Sequence, residues 1–187
     1  EARMFNRMLL SVLAACLLVP GICHADSYST YFAKRPSDES YRNVTVSRFF
    51  TDNAPSMCVR IDPEEGTDSN FDFALVVCNI KENFLVALGT RKNISLKKDN
   101  TIVFKLNKGE TYRYKSTKVD APEETLLTIG TTKVDQIDIF VAILTGMAFN
   151  AHVDNTNIRG MYYLGPALRY LYEIADVWTK YSKRKNK

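Results

Sequence analysis

Apolar and polar positions alternate through residues 43–50 and 57–61, the period of a strand with one buried face. Val44 and Val46 mark the first run; Met57, Val59 and Ile61 fall on one side of the second, with Cys58 and Arg60 on the other. Asn53-Ala54-Pro55 reads as the turn between them. Residues 71–80 are apolar almost throughout, which predicts a strand buried on both faces, and residues 84–88 predict another. The stretch TIVFKLNKGETYRYKST, residues 101–117, is the clearest hairpin. Ile102, Phe104 and Leu106 alternate with Val103, Lys105 and Asn107, the turn falls at Asn107-Lys108-Gly109-Glu110, and Tyr112 and Tyr114 alternate with Arg113 and Lys115. A short strand follows at 126–129.

The period changes after Gly130. Val134, Ile137, Val141, Leu144 and Ala148 recur at helical spacing and predict a buried stripe. Thr132 is the expected N-cap, with Asp135 three residues on, and Gly146 is the expected stop. Met147, Phe149, Ala151 and Val153 return to alternation, residues 154–157 turn, and residues 158–164 form one more strand. Gly165-Pro166 opens a final helix with the apolar face Ala167, Leu168, Leu171, Ile174, Ala175 and Trp178. These strands with two late helices predict a β-rich α+β fold: a twisted, antiparallel, sandwich-like domain over residues 41–179 with two C-terminal helices.

The N-terminus has the parts of a secretory signal: Arg3 and Arg7, an apolar run at 8–19, then Pro20-Gly21. Residues 13–26, LAACLLVPGICHAD, hold two competing cleavage signals. Leu13-Ala14-Ala15-Cys16 reads as a lipobox, and Cys23-His24-Ala25 as an ordinary signal-peptidase site. Cys16 lies inside the apolar run instead of closing it, so cleavage after Ala25 is expected and lipidation at Cys16 is the alternative. The expected product is a free periplasmic or secreted protein with a polar lead-in at 26–40. No later apolar stretch is long enough to span a membrane. The tail at 180–187 carries five basic residues and no acid. Without tail and signal the body has 18 basic and 20 acidic residues, so the net positive charge belongs to the tail. Such a tail is either a solvated end or a contact for an anionic partner.

Cleavage after Ala25 leaves Cys58 and Cys78. In an oxidising compartment this pair is expected to form a disulfide, closing a loop of about 20 residues worth roughly 3 kcal/mol; two buried thiols are the other reading. His152 is the only histidine beyond the signal, which excludes a multi-histidine metal site. The cysteines lack metal-ligand spacing, so neither metal nor cofactor is expected. There is no phosphate loop, GxGxxG or GxSxG. A small hydrolase would have to centre on His152, at a polar phase of its strand, where a solvent-facing histidine is the commoner case. The chain reads as non-enzymatic.

Two surfaces are candidates for binding. Residues 91–118 carry nine basic residues against Asp99 and Glu110. Lys105, Arg113 and Lys115 sit on the polar phases of the hairpin; with Tyr112, Tyr114, Lys97 and Lys98 they form the first surface. Export argues against nucleic acid and for an acidic envelope protein or another anionic surface. Lysines guarding a sheet edge are the structural alternative. The second surface is the acidic loop with Asp62, Glu64, Glu65, Asp68 and Asp72, which lacks EF-hand spacing and which the disulfide would brace.

The ending MYYLGPALRYLYEIADVW, residues 161–178, resembles that of bacterial periplasmic accessory proteins: the type VI secretion-associated TagO/VasI group and the invasion-associated locus B group. In those a strand of the form F-x-L-x-G leads into an A-L-x-x-L helix. Tyr163-Leu164-Gly165 and Ala167-Leu168-Arg169-Tyr170-Leu171 follow that form over the last quarter of the chain, without a cysteine in the final helix. The resemblance implies a β-rich, non-enzymatic envelope protein. The expectation is therefore an exported accessory or binding protein. The alternatives are an immunity or inhibitor protein against an exported toxin, and a small hydrolase at His152.

Overall fold

Runs in which every second residue is apolar fold as strands here, because that spacing turns the apolar side chains to one face of a pleated ladder. The computed structural model describes residues 37–51, 54–79, 83–90, 94–107, 109–120 and 124–182. Residues 1–36, where the expected signal and most of the polar lead-in fall, the tail beyond residue 182, and Asn53, Arg91, Lys92, Asn93 and Lys108 lie outside the described residues. The strands are β1 (Asp38–Tyr41), β2 (Val44–Thr51), β3 (Ala54–Ile61), β4 (Phe73–Asn79), β5 (Asn83–Thr90), β6 (Asp99–Leu106), β7 (Thr111–Asp120), β8 (Thr125–Thr128), β9 (Ala148–Val153) and β10 (Arg159–Tyr163). Helix α1 (Lys133–Thr145) lies between β8 and β9, and α2 (Leu168–Ser182) follows β10 through a 3-10 turn at Gly165–Ala167.

The ten strands form one sheet in the order β1-β2-β3-β4-β5-β8-β7-β6-β9-β10. Every neighbouring pair is antiparallel. The fold is thus β-rich α+β with two helices in its C-terminal part, as the periodicity predicts. Two boundaries differ from expectation. The polar lead-in contributes β1, whose Asp38 and Glu39 suit an edge strand. Pro55 belongs to β3, opposite Phe50; pairing with β4 starts only at Ser56, so the missing N–H costs no ladder bond.

Strand β7 pairs with β6 over residues 111–117 and with β8 over residues 118–120. The sheet turns over between these registers, so both arms face one core. Val59, Ile61, Val86 and Leu88 come from one arm, and Ile102, Phe104, Phe149 and Tyr162 from the other. All of β4 is buried, as its continuous apolar run predicts. Its Ala74, Val76 and Cys78 enter the main core, while Phe73, Leu75 and Val77 join Cys58, Leu85, Val119 and Leu126 in a second cluster. Phe73 lies over Gly89 so closely that a Cβ there would come within 2.1 Å of its ring. Among the described residues no helix is long and apolar enough to cross a membrane.

The cap of α1 is as expected: Asp135 N–H donates to Thr132 Oγ1 at 3.1 Å, and Thr132 N–H to Asp135 Oδ2 at 3.2 Å. Its buried face is not. Val134, Ile137 and Val141 of the expected stripe are 67, 36 and 52 % exposed, whereas Gln136, Ile139, Phe140 and Ile143 are buried. The helix is apolar on most sides, so periodicity alone does not choose a face. Gln136 and Phe140 choose it. Val86 N–H donates to Gln136 Oε1 at 2.6 Å, and Gln136 Nε2 donates to the carbonyls of Ile129 at 2.7 Å and Gly130 at 2.9 Å. The side chain bridges β5 and the end of β8 as a ladder residue would. Phe140 stacks on Phe84 with centroids 4.2 Å apart. Helix α2 buries its predicted face, with Leu171 and Ile174 in the core beside Ala167 of the preceding turn, and Leu168, Ala175 and Trp178 packed against it.

A polar cluster ties α2 to the N-terminal hairpin. The Arg48 side chain, 3 % exposed, donates from Nε and Nη2 to the two carboxylate oxygens of Glu173, each at 2.8 Å. Tyr170 donates to Glu39 at 2.6 Å, and Arg169 donates to both. The Tyr170 bond, helped by Arg169 and Arg48, holds the Glu39 carboxyl below its ordinary 4.5.

Replacing Gln136 by Leu leaves three buried main-chain groups without their partner and should cost about 2 to 4 kcal/mol in denaturant unfolding; a loss under about 1 kcal/mol would contradict the bridging role. Because the Glu39 pKa is lowered by folding, its contribution is complete above the unfolded value of 4.5 and lost as pH falls through the folded value. Thermal unfolding from neutral pH to about pH 3 should show a stability loss in that window that Glu39→Gln reduces.

Candidate functional site

Directly opposed residues of paired strands point to the same face. The β6–β7 register sets Thr101 against Lys115, Val103 against Arg113 and Lys105 against Thr111. Lys105, Arg113 and Lys115 therefore share the face turned away from the core, and all three are exposed. Strands β9 and β10 extend it. Val103 opposes His152, which opposes Arg159; Lys105 opposes Asn150, which opposes Met161. One cross-strand row thus reads Arg113, Val103, His152, Arg159.

Tyr112 and Tyr114 belong to the opposite phase. Their rings stack at 6.2 Å between centroids and pack against the main core, with Tyr112 beside Phe104. The expectation that they join the basic face is corrected: alternation puts them back to back with Arg113 and Lys115. Lys97 and Lys98 are exposed just ahead of β6, where the Lys98 carbonyl accepts from Lys118 N–H at 3.0 Å. They continue the basic surface at its Lys115 end.

The acidic loop comes to the same face. Asn70 N–H donates to the Arg159 carbonyl at 2.8 Å, and Arg159 N–H donates to Asn70 Oδ1 at 2.9 Å. The loop is braced further by Arg60 on Asp62 at 2.8 Å and by Thr67 Oγ1 on the Glu64 carbonyl at 2.7 Å. Between loop and strands lies an open cleft of about 830 Å³, lined by Thr67, Asp68, Asn150, His152, Thr156, Asn157 and Arg159 among others. The two candidate surfaces of the sequence are one continuous site, with His152 on the cleft wall.

The charges of the site are loosely held. Arg113 meets Asp154 at 2.7 Å and Arg159 meets Asp68 at 2.5 Å, but both guanidinium groups are more than half exposed. Exposed pairs contribute little and exchange readily with an incoming carboxylate. Lys105 and Lys115 make no ion pair among the described residues. Neither does the His152 imidazole make a hydrogen bond among them. No group of three His, Cys, Asp or Glu side chains converges among the described residues as a metal site requires. The site offers hydroxyl, amide, imidazole and guanidinium groups, which suit recognition of a polar, acidic surface.

Arg159, Asn150, Thr156 and Asn157 were not singled out in the sequence. Alternation places Arg159 on a polar phase, but only the β9 register, which no local pattern encodes, sets it beside His152.

The expected Cys58–Cys78 disulfide is not formed. In the β3–β4 register Cys58 opposes Val77 and Cys78 opposes Met57, so the cysteines are diagonal neighbours on opposite faces of the sheet. Cys58 lies in the second apolar cluster and Cys78 in the main core, an orientation that a disulfide cannot bridge. Burial pushes the Cys78 thiol up to about 12 and leaves it unreactive.

No family model, no curated protein and no solved structure matches this chain. Peptide mapping of the protein under non-reducing conditions should yield no fragment joining Cys58 to Cys78, and recovery of such a fragment would contradict the strand register.

Proposed function

We propose that the protein is an exported, non-catalytic binding protein of the cell envelope, and that the outer face of β6, β7, β9 and β10 takes an acidic protein partner. The observation that carries this reading is the shared face of Lys105, Arg113 and Lys115 beside a polar cleft. Lys105 and Lys115 have no ion pair among the described residues, and the carboxylates on Arg113 and Arg159 are displaceable. The secretory pattern at residues 1–25 supplies the compartment, and the resemblance of the C-terminal quarter to periplasmic accessory proteins points the same way. An inhibitor of an exported toxin would use the same contacts with a particular partner.

His152 favours a second reading only through its place on the cleft wall. A hydrolase would need the imidazole to activate a nucleophile within hydrogen-bond reach.

Reversing Lys105, Arg113 and Lys115 to Glu should weaken capture of envelope proteins at least about tenfold, with the largest difference at low salt. The residues are exposed, so the variant should unfold at the wild-type temperature. His152→Ala leaves the basic charges of the face in place and should weaken capture far less than the charge reversal does. Equal capture by the charge-reversed protein would sink the binding-face reading; loss of function on His152→Ala alone, in a folded protein, would favour the hydrolase.

A further inference from the structure

Among the described residues the sheet has two ends, β1 and β10, and they are built differently. Strand β1 carries Asp38 and Glu39, charges that deter edge pairing. Strand β10, Arg159–Tyr163, has no lysine, proline or acid. Its Met161 and Tyr163 are 45 and 36 % exposed, and Tyr41 nearby is 43 % exposed.

The main-chain groups of β10 follow a fixed alternation. Val153 N–H donates to the Ile158 carbonyl at 2.9 Å, and Leu164 N–H to the Met147 carbonyl at 2.8 Å. In an antiparallel ladder with this register, Gly160 and Tyr162 bond to β9, while Arg159, Met161 and Tyr163 turn their N–H and C=O outward. Asn70 occupies both groups of Arg159. Those of Met161 and Tyr163 have no partner among the described residues.

We propose that β10 pairs edge to edge with β10 of a second copy of this chain. One antiparallel register satisfies every open group: Met161 opposite Tyr163 of the second copy, and Tyr162 opposite Tyr162 across a two-fold axis. Both Met161–Tyr163 pairs are then of the hydrogen-bonded kind. The side chains of those residues meet on the outer face, a thioether against a phenol ring.

Charge supports the antiparallel choice. The Arg159 end of β10 lies against the loop carrying Glu64, Glu65 and Asp68. The Tyr163 end borders a hollow of about 260 Å³ lined by Tyr41, Arg42, Gly165, Pro166 and Arg169. An antiparallel second copy sets the acidic end of each chain toward the basic end of the other. A strand from an unrelated protein would have no such built-in match. The edge is short, so the contact belongs to the small, reversible class of interfaces.

Sedimentation velocity of the purified protein from about 1 to about 500 μM should show a monomer–dimer equilibrium with Kd on the order of 10–100 μM. Met161→Pro removes the outward N–H without touching the β9 ladder and should raise Kd at least about tenfold. Met161→Lys adds an edge charge and should do the same, which covers the case in which the proline destabilises the fold. Far-ultraviolet circular dichroism and the thermal midpoint verify that each variant is folded. A monomer at every concentration would overturn the proposal, as would a dimer that both folded variants retain.

Discussion

The buried Arg48 guanidinium ties the N-terminal hairpin β1–β2 to helix α2. It sits on β2, next to the first edge of the sheet, and both its bonds at 2.8 Å go to Glu173 on the last helix. A charge this deeply buried is tolerated only while its partner stays in place, because an unpaired ion in the interior is far costlier than an unmade neutral contact. The position of α2 is therefore fixed to the N-terminal hairpin. Helix α2 in turn supplies Leu171 and Ile174 to the main core, and Tyr170 to Glu39.

With α2 pinned, the remaining geometry is constrained from the inside. Gln136 seats α1 against β5 and β8 by substituting for ladder partners, and the stacked Phe84 and Phe140 rings fill the space beside it. The sheet arms then have one inward face each. Lys105, Arg113, Lys115 and Arg159 are turned outward, and the loop after β3 is drawn onto the same surface by Asn70 and Arg159. The cleft beside His152 is a consequence of the sheet turning over, since it joins residues of β9 and β10 to a loop some 80 to 90 positions earlier, as the Arg159–Asp68 and Arg159–Asn70 bonds with separations of 91 and 89 show.

What could be read from the sequence follows the range of the interaction involved. Strand alternation and the 101–117 hairpin depend on neighbours, and both were legible: Ile102, Phe104 and Leu106 face inward while Lys105 faces out. The Thr132–Asp135 cap is equally local. The face of α1 was not legible, because a helix apolar on most sides is oriented by Gln136, a polar residue that no hydrophobic stripe includes. The cysteine pair misled for a related reason. Compartment and count favoured a bond, but the register that puts Cys58 and Cys78 on opposite faces is set by β4 pairing with β3. Half of the candidate site was visible as Lys105, Arg113 and Lys115. The other half needed the β6–β9 and β9–β10 registers, which bring His152 and Arg159 into the row.

The claim on which the account rests is that Arg48 and Glu173 act as one unit. A double-mutant cycle on unfolding free energy tests it directly. Arg48→Met and Glu173→Leu should each cost about 3 to 5 kcal/mol, since each removes one member of a buried ion pair. The double variant should cost no more than either single change, giving an interaction energy above about 2 kcal/mol. Costs that add to within about 0.5 kcal/mol would contradict the tether, and with it this explanation of how α2 and the N-terminal hairpin are held around one core.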